Sequence, residues 1–145
     1  MKNSRCADFE PRQLSPLTLA FLGDAVFELL VRNRLVRMGS RPSLELHRLS
    51  VQEVCCNAQS KASNLLVPLL TEEETAVFRR GKNARPGHFP KNADQKDYHN
   101  ATALESLFGY LYLCGRSERL EELFAITVGD GKDQKGDDRH AARSE

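Results

Sequence analysis

Apolar side chains recur at three- and four-residue steps along most of the chain, and no stretch alternates apolar with polar for long enough to make a strand. Ser15-Pro16 supplies an N-cap followed by a proline at the first helical position. From there Leu17, Ala20, Phe21, Asp24, Phe27, Glu28 and Val31 carry a helical pattern to about Met38-Gly39. A second helical segment is predicted after Pro42-Ser43, with Leu46, Leu49, Val54, Ala58 and Leu65 on its apolar positions and an interruption at Pro68. Thr71 and Glu74 form the T-x-x-E signature of a capping box for a short helix ending at Arg80-Gly81. The most apolar helix is predicted from about His99 to Cys114, stopped by Gly115. Ser117 then caps a last amphipathic helix carrying Leu120, Leu123, Phe124 and Ile126. The pattern is all-α.

Two stretches fall outside it. Gly81 to about Asp97 is polar and irregular, and a segment of that length inside a small domain is usually functional or disordered. From Gly129 onward no large apolar residue occurs, so 129–145 read as a disordered polar tail and 1–128 as one folded domain. The 40% hydrophobic content is too high for a wholly disordered chain, and the net charge of +1 does not by itself mark a polyanion binder. No run approaches the roughly 20 apolar residues a membrane span needs. Met1 to Asp8 lack the apolar core of a secretory signal, so a cytoplasmic protein is expected. Cys6, Cys55, Cys56 and Cys114 show no metal-binding spacing and are expected to be reduced, mostly buried thiols.

Two carboxylates interrupt apolar stripes. Asp24 shares a helical face with Leu17, Ala20, Phe21, Phe27 and Val31; Glu105 shares one with Ala101, Thr102, Phe108 and Tyr112. An ionised carboxylate in an apolar site costs several kcal/mol unless it is paired or holds a metal. Each could pair with an arginine or cap a helix. Alternatively, the two could converge on a divalent cation, and all-oxygen ligation favours Mg²⁺ or Mn²⁺ over zinc. Glu28 stands four residues before Arg32, the favourable order for a surface ion pair, and is read as structural.

Charge is locally concentrated despite the near-neutral total. From Arg79 to His99 there are six Lys and Arg against two Asp, with His88 and His99 in addition. Arg80, Lys82, Asn83, Arg85 and Lys91 are the candidate residues for holding a polyanion, with a flexible solvated loop as the alternative. Few aromatics interleave with these charges, which favours reading a duplex by its backbone over stacking on bases. The Leu104–Cys114 helix is apolar on nearly every face and must be covered on nearly every face, centrally or by a second copy. A symmetric homodimer is expected.

Leu19-Ala20-Phe21-Leu22-Gly23-Asp24-Ala25-Val26-Phe27-Glu28 resembles the catalytic helix of the ribonuclease III family, commonly L-E-F-L-G-D-A-V-L. Thr102-Ala103-Leu104-Glu105-Ser106-Leu107-Phe108-Gly109-Tyr110-Leu111-Tyr112-Leu113 resembles its second metal-binding helix, D-x-x-E-A-x-x-G-A-x-Y-L. Arg80-Gly81-Lys82-Asn83-Ala84 and Pro90-Lys91-Asn92-Ala93-Asp94 narrow the resemblance to Mini-ribonuclease III, the compact branch without a double-stranded-RNA-binding domain. The resemblance implies a ribonuclease III-like helical bundle acting as a homodimer, with a Mg²⁺-dependent site in each subunit that cuts duplex RNA to leave 5′-phosphate ends. It further implies precursor large-subunit (23S) ribosomal RNA as substrate and leaves open whether a ribosomal protein presents it. By position, Asp24 carries over as the central metal ligand and Glu105 as its partner. Ala20 and Thr102 stand where classical members have acids, which removes two of four carboxylates. Asp94 is a candidate further ligand or an organiser of its loop. Those missing acids support the alternative of a non-catalytic RNA-binding or ribosome-associated protein with the same fold. A helical adaptor that binds only protein would leave the basic loop without a purpose.

Overall fold

A computed structural model describes residues 9–89 and 94–129. The 130–145 part of the predicted tail, Cys6 and Lys91 lie outside the described residues. Six helices follow in order: α1 (Pro16–Arg37), α2 (Ser43–Val54), α3 (Cys56–Leu66), α4 (Glu72–Asn83), α5 (Gln95–Leu113) and α6 (Ser117–Thr127). Single 3₁₀ turns stand at Pro11–Gln13 and Val67–Leu69, and the described residues contain no strand. The all-α expectation holds.

α5 is the axis of the bundle. Ala103, Leu104, Leu107, Phe108, Tyr110 and Leu111 are all buried, because α1, α3, α4 and α6 pack around it. The apolar girth of this helix is therefore covered within one chain, so it does not call for a second copy. α1 crosses it most intimately. Its Leu19, Gly23, Val26, Phe27, Val31 and Leu35 line the core side, and Phe27 meets Phe108 and Phe124 edge-on at 5.5 and 5.7 Å. Gly23 and Gly109 bring the two backbones together. A Cβ on Gly23 would overlap the Glu105 carbonyl and lie 2.9 Å from the Gly109 nitrogen; one on Gly109 would overlap the Leu19 carbonyl oxygen. Glycine is needed here for close approach rather than for a turn.

Several predicted boundaries move. The segment after Ser43 is two helices, broken at Cys55, whose extended backbone (φ −67°, ψ 153°) lets its carbonyl accept from Gln59 N at 3.0 Å and start α3. α4 runs through Gly81 to Asn83; Gly81 lies inside the helix because a Cβ there would press on Ser106 Oγ at 2.6 Å and on the Ala103 backbone. α5 begins at Gln95, earlier than expected, because Asp94 caps it. Ser117 is the first helical residue of α6, and Arg116 precedes it at the cap position. Cys55 and Cys56 are free and exposed and Cys114 is half-buried, so the expectation of buried thiols fails.

The start of α4 carries the fold's main polar lock. Thr71 and Glu74 make the reciprocal capping box, and the buried Glu74 carboxylate also accepts from Arg119 Nε and Nη2 at 2.9 and 2.8 Å. Beside it Glu73 accepts from the Tyr110 hydroxyl and pairs with Arg12 (2.8 Å) and Arg116 (3.1 Å). Those hydrogen bonds, first from Tyr110 and then from Arg12, pull the Glu73 carboxyl down to about 2.

Candidate active site

The Gly23–Gly109 contact sets the site's geometry, because Asp24 follows Gly23 on α1 and Glu105 supplies the carbonyl that Gly23 touches on α5. The two predicted carboxylates thus stand on adjoining helices, close enough that the Asp24 charge acts on Glu105. Their surroundings differ from the expected apolar stripes. Leu17, Phe21 and Asp24 are exposed; the core stripe of α1 runs one residue away, through Leu19, Gly23, Val26 and Phe27. Glu105 is the more enclosed group, between buried Thr102 and Phe108, with Tyr112 exposed on the same face.

Neither carboxylate has a cation partner among the described residues. Burial, and then the negative charge of Asp24, push Glu105 up to about 8. Burial and the Glu28 charge push Asp24 upward as well. The buried Gln59 amide on α3 faces Glu105 and works against the rise, yet its Nε2 completes no hydrogen bond. A buried donor left without a partner costs about 1–3 kcal/mol. Cys56, at the start of α3, is held protonated first by burial and then by the Glu105 charge, which makes it a poor nucleophile.

The other candidates separate. Asp94 is the N-cap of α5, its Oδ1 accepting from Lys96 N at 2.8 Å and Asp97 N at 3.3 Å, so it organises its loop instead of joining the pair. Glu28 pairs with Arg32 at 2.7 Å, as expected. Arg80 donates to the carbonyls of Arg12 (2.9 Å) and Leu14 (3.1 Å) and thereby ties the N-terminal turn to α4. Lys82, Asn83 and Arg85 gather with Lys96, Phe89 and His99 around an open groove of about 630 Å³ with no acid among the described residues of its wall. Phe89, Tyr98 and His99 pack edge-to-face on one another at 5.3 to 6.0 Å. Thr102 donates its hydroxyl to the Tyr98 carbonyl at 2.9 Å, and Ala20 is buried.

Residues 17–116 match the family model of the Ribonuclease III domain. The chain belongs to the ribonuclease III family. It is 47% identical over 113 residues to a Mini-ribonuclease 3 from Symbiobacterium thermophilum, spanning 78% of this chain and 87% of the relative. To a Mini-ribonuclease 3 from Brevibacillus brevis it is 44% identical over 125 residues, spanning 83% and 93%. A crystal structure of a protein from Fusobacterium nucleatum superposes with a TM-score of 0.74 at 31% identity, covering 83% of this chain and 96% of that one. The all-α ribonuclease III fold and an endoribonuclease activity follow from this membership, and the non-catalytic and adaptor readings fall. The ribonuclease III family acts on double-stranded RNA and generally uses divalent metal ions.

The residues present fit such an ion. Two neighbouring carboxylates whose proton affinities are both raised, Glu105 by burial and the Asp24 charge and Asp24 by burial and the Glu28 charge, form a hard, all-oxygen donor pair. Among the described residues no group of three or more metal-ligating side chains occurs. A pair is enough for a cation such as Mg²⁺, which usually keeps several waters and takes one or two carboxylates plus phosphate oxygens.

Gln59 is the site-facing residue that reading the sequence missed. The signal was there: a polar side chain on the stripe of Ala62, Ser63 and Leu66, the same pattern that singled out Asp24.

Proposed function

We propose that this ribonuclease III family member cuts duplex RNA with Mg²⁺ (or Mn²⁺) held by Asp24 and Glu105, leaving 5′-phosphate and 3′-hydroxyl ends. The observation that carries the reading is the unpaired carboxylate couple on the adjoining faces of α1 and α5. A bound divalent cation supplies charge neutralisation at the scissile phosphate and lowers the pKa of water. The chain itself supplies position. The glycine contact fixes the spacing of the two helices, exposed Asp24 presents its carboxylate to substrate, and enclosed Glu105 holds its oxygens away from bulk water. Burial and the Asp24 charge favour the protonated form of Glu105, so a bound cation would compete with that proton for the carboxylate. Lys82, Arg85 and Lys96, with Asn83, hold the duplex backbone along the groove; Lys91, outside the described residues, belongs to the same basic loop. Arg80 serves the fold instead.

The working form is a homodimer. Its support shifts from α5 to α1, where Leu17, Phe21, Ala25 and Leu29 make an exposed apolar ridge at four-residue steps beside Asp24. Phe21 is 84% exposed, more than an apolar side chain of its size gains by facing water. A monomeric sedimentation mass at micromolar concentration would defeat the dimer. The substrate in this reading is precursor large-subunit (23S) ribosomal RNA, and the place of action is the cytoplasm; both rest on the motif resemblance of the sequence.

The deciding experiment is cleavage of a long duplex RNA at low salt with Mg²⁺, comparing wild type with Asp24→Asn. The substitution keeps the shape and removes the charge. Cutting by wild type alone places the metal at Asp24. Equal cutting by both removes Asp24 from the site.

A further inference from the structure

Eight polar residues are fully buried among the described residues, and seven of them are accounted for. Ser50, Ser63, Thr102 and Ser106 donate to backbone carbonyls, Asn100 donates to Ser60, and Glu74 accepts from Arg119. Gln59 differs. It is 1% exposed, yet its Nε2 has no hydrogen-bond partner. Its neighbours on α3 show what this surface otherwise does: Ser63 donates to the Ser60 carbonyl, Ser60 accepts from Asn100 on α5, and Ala62 and Leu66 pack in the core. An apolar side chain would fill the Gln59 position without leaving a donor unmet. The amide faces Glu105.

We infer that Gln59 is a positioning residue for Glu105: its buried N–H is placed to donate to one carboxylate oxygen, leaving the other oxygen for the cation. The inference rests on the metal-dependent reading of the Asp24–Glu105 pair. The physical logic is that of a ligand oriented from behind. A carboxylate on a flexible side chain samples several rotamers, and a buried donor on a rigid neighbouring helix selects one. Gln59 is therefore poised for its neighbour's carboxylate, at the expense of a buried donor left unmet in the fold.

That trade makes the test sharp, because a packing residue and a positioning residue move stability in opposite directions. Gln59→Met and Gln59→Leu in the full chain keep the volume and remove the donor. Melting temperature in EDTA and Mn²⁺ affinity, read from the paramagnetic resonance of free Mn²⁺, are measured beside duplex-RNA cleavage over a Mg²⁺ series. The expected result has three parts: metal-free melting temperatures at or above wild type, Mn²⁺ binding weakened about 10-fold or more, and cleavage lost at limiting Mg²⁺ but recovered when Mg²⁺ is raised. A lower metal-free melting temperature in both variants, with Mn²⁺ affinity unchanged, would make Gln59 a packing residue and overturn the inference while leaving the nuclease reading intact. If wild type and Asp24→Asn bind Mn²⁺ equally weakly, the metal site itself fails, and the role of Gln59 fails with it.

Discussion

Two carboxylate pairs in this small bundle have opposite surroundings. At the start of α4, Glu73 and Glu74 are met by Arg12, Arg116, Arg119, the Tyr110 hydroxyl and the Thr71 cap. Burial alone would raise the Glu74 carboxyl, but hydrogen bonds from Arg119 and Thr71 more than reverse it. Across the α1–α5 contact, Asp24 and Glu105 have no cation among the described residues, and both are pushed upward: Glu105 by burial and the Asp24 charge, Asp24 by burial and the Glu28 charge. The arginines divide in the same way. Arg12, Arg116 and Arg119 are spent on carboxylates, and Arg80 on carbonyls, whereas Lys82, Arg85 and Lys96 line a groove with no acid among its described residues. Acidity on a buried face is therefore not the mark of a site. Acidity without compensation is, because folding gains nothing by leaving it uncompensated.

The comparison breaks most visibly at Glu105. Glu105→Gln is expected to lower duplex-RNA cleavage by at least 10²–10³-fold, the size seen when a transition-state electrostatic contact is removed. The same variant is expected to melt higher than wild type in EDTA at pH 8, because it relieves both burial of a charge and repulsion from Asp24. Glu74→Ala should do the opposite to stability and nothing to cleavage. Breaking a buried ion pair costs about 3–5 kcal/mol, since Arg119 is left without its buried partner. Thermal denaturation should fall by about 10 °C for a chain of this size. Cleavage per folded molecule at 25 °C should stay at the wild-type level. A Glu74→Ala protein that folds well but cuts poorly would erase the distinction between the two pairs.

A pH series separates the pairs within one molecule. Glu105 has its folded pKa raised to about 8, so its contribution to metal-free stability is present below about pH 4.5, the ordinary glutamate range, and is lost as pH rises through 8. Glu73 has its folded pKa lowered to about 2, so its contribution is present above that same range and is lost as pH falls toward 2. Melting temperature in EDTA should therefore decline from pH 5 to pH 8.5 in wild type and be flatter in Glu105→Gln, with acid destabilisation common to both. A wild-type curve flat between pH 5 and 8.5 would mean that Glu105 is not held in its neutral form.

The sequence disclosed the site better than the surfaces around it. Asp24 and Glu105 were visible as charges on apolar periodicity, and the Thr71–Glu74 box was visible as a spacing. What stayed hidden was which apolar stripe faces inward. α1 carries two, Leu19-Gly23-Val26-Phe27 toward α5 and Leu17-Phe21-Ala25-Leu29 toward solvent, and a pattern of apolar positions cannot rank them. A glycine in the inward stripe was the clue, because only close backbone contact requires one there. The break at Cys55 was equally hidden, since no proline or glycine marks it. Asp94 stayed open between ligand and loop organiser, and Arg80 read as chemistry, for a common reason: a charge near a basic loop suggests chemistry, while backbone capping is a local geometric fact visible only with the chain folded.

The smallest expected effect concerns the unspent cations. If Lys82 and Arg85 each neutralise one phosphate, either Lys82→Ala or Arg85→Ala should weaken duplex-RNA binding and reduce the slope of log affinity against log salt by about 0.7 to 0.9. Between about 50 and 200 mM salt that slope corresponds to a factor of roughly 3 per residue, and the loss should be uniform across RNA sequences because backbone contacts carry no base information. Arg80→Ala supplies the contrast. Its guanidinium already serves two carbonyls, so it should lower melting temperature while leaving the salt slope unchanged. Were Arg80→Ala to change the slope as much as Lys82→Ala does, the division between charges spent on the fold and charges kept for a partner would no longer follow from their hydrogen bonds.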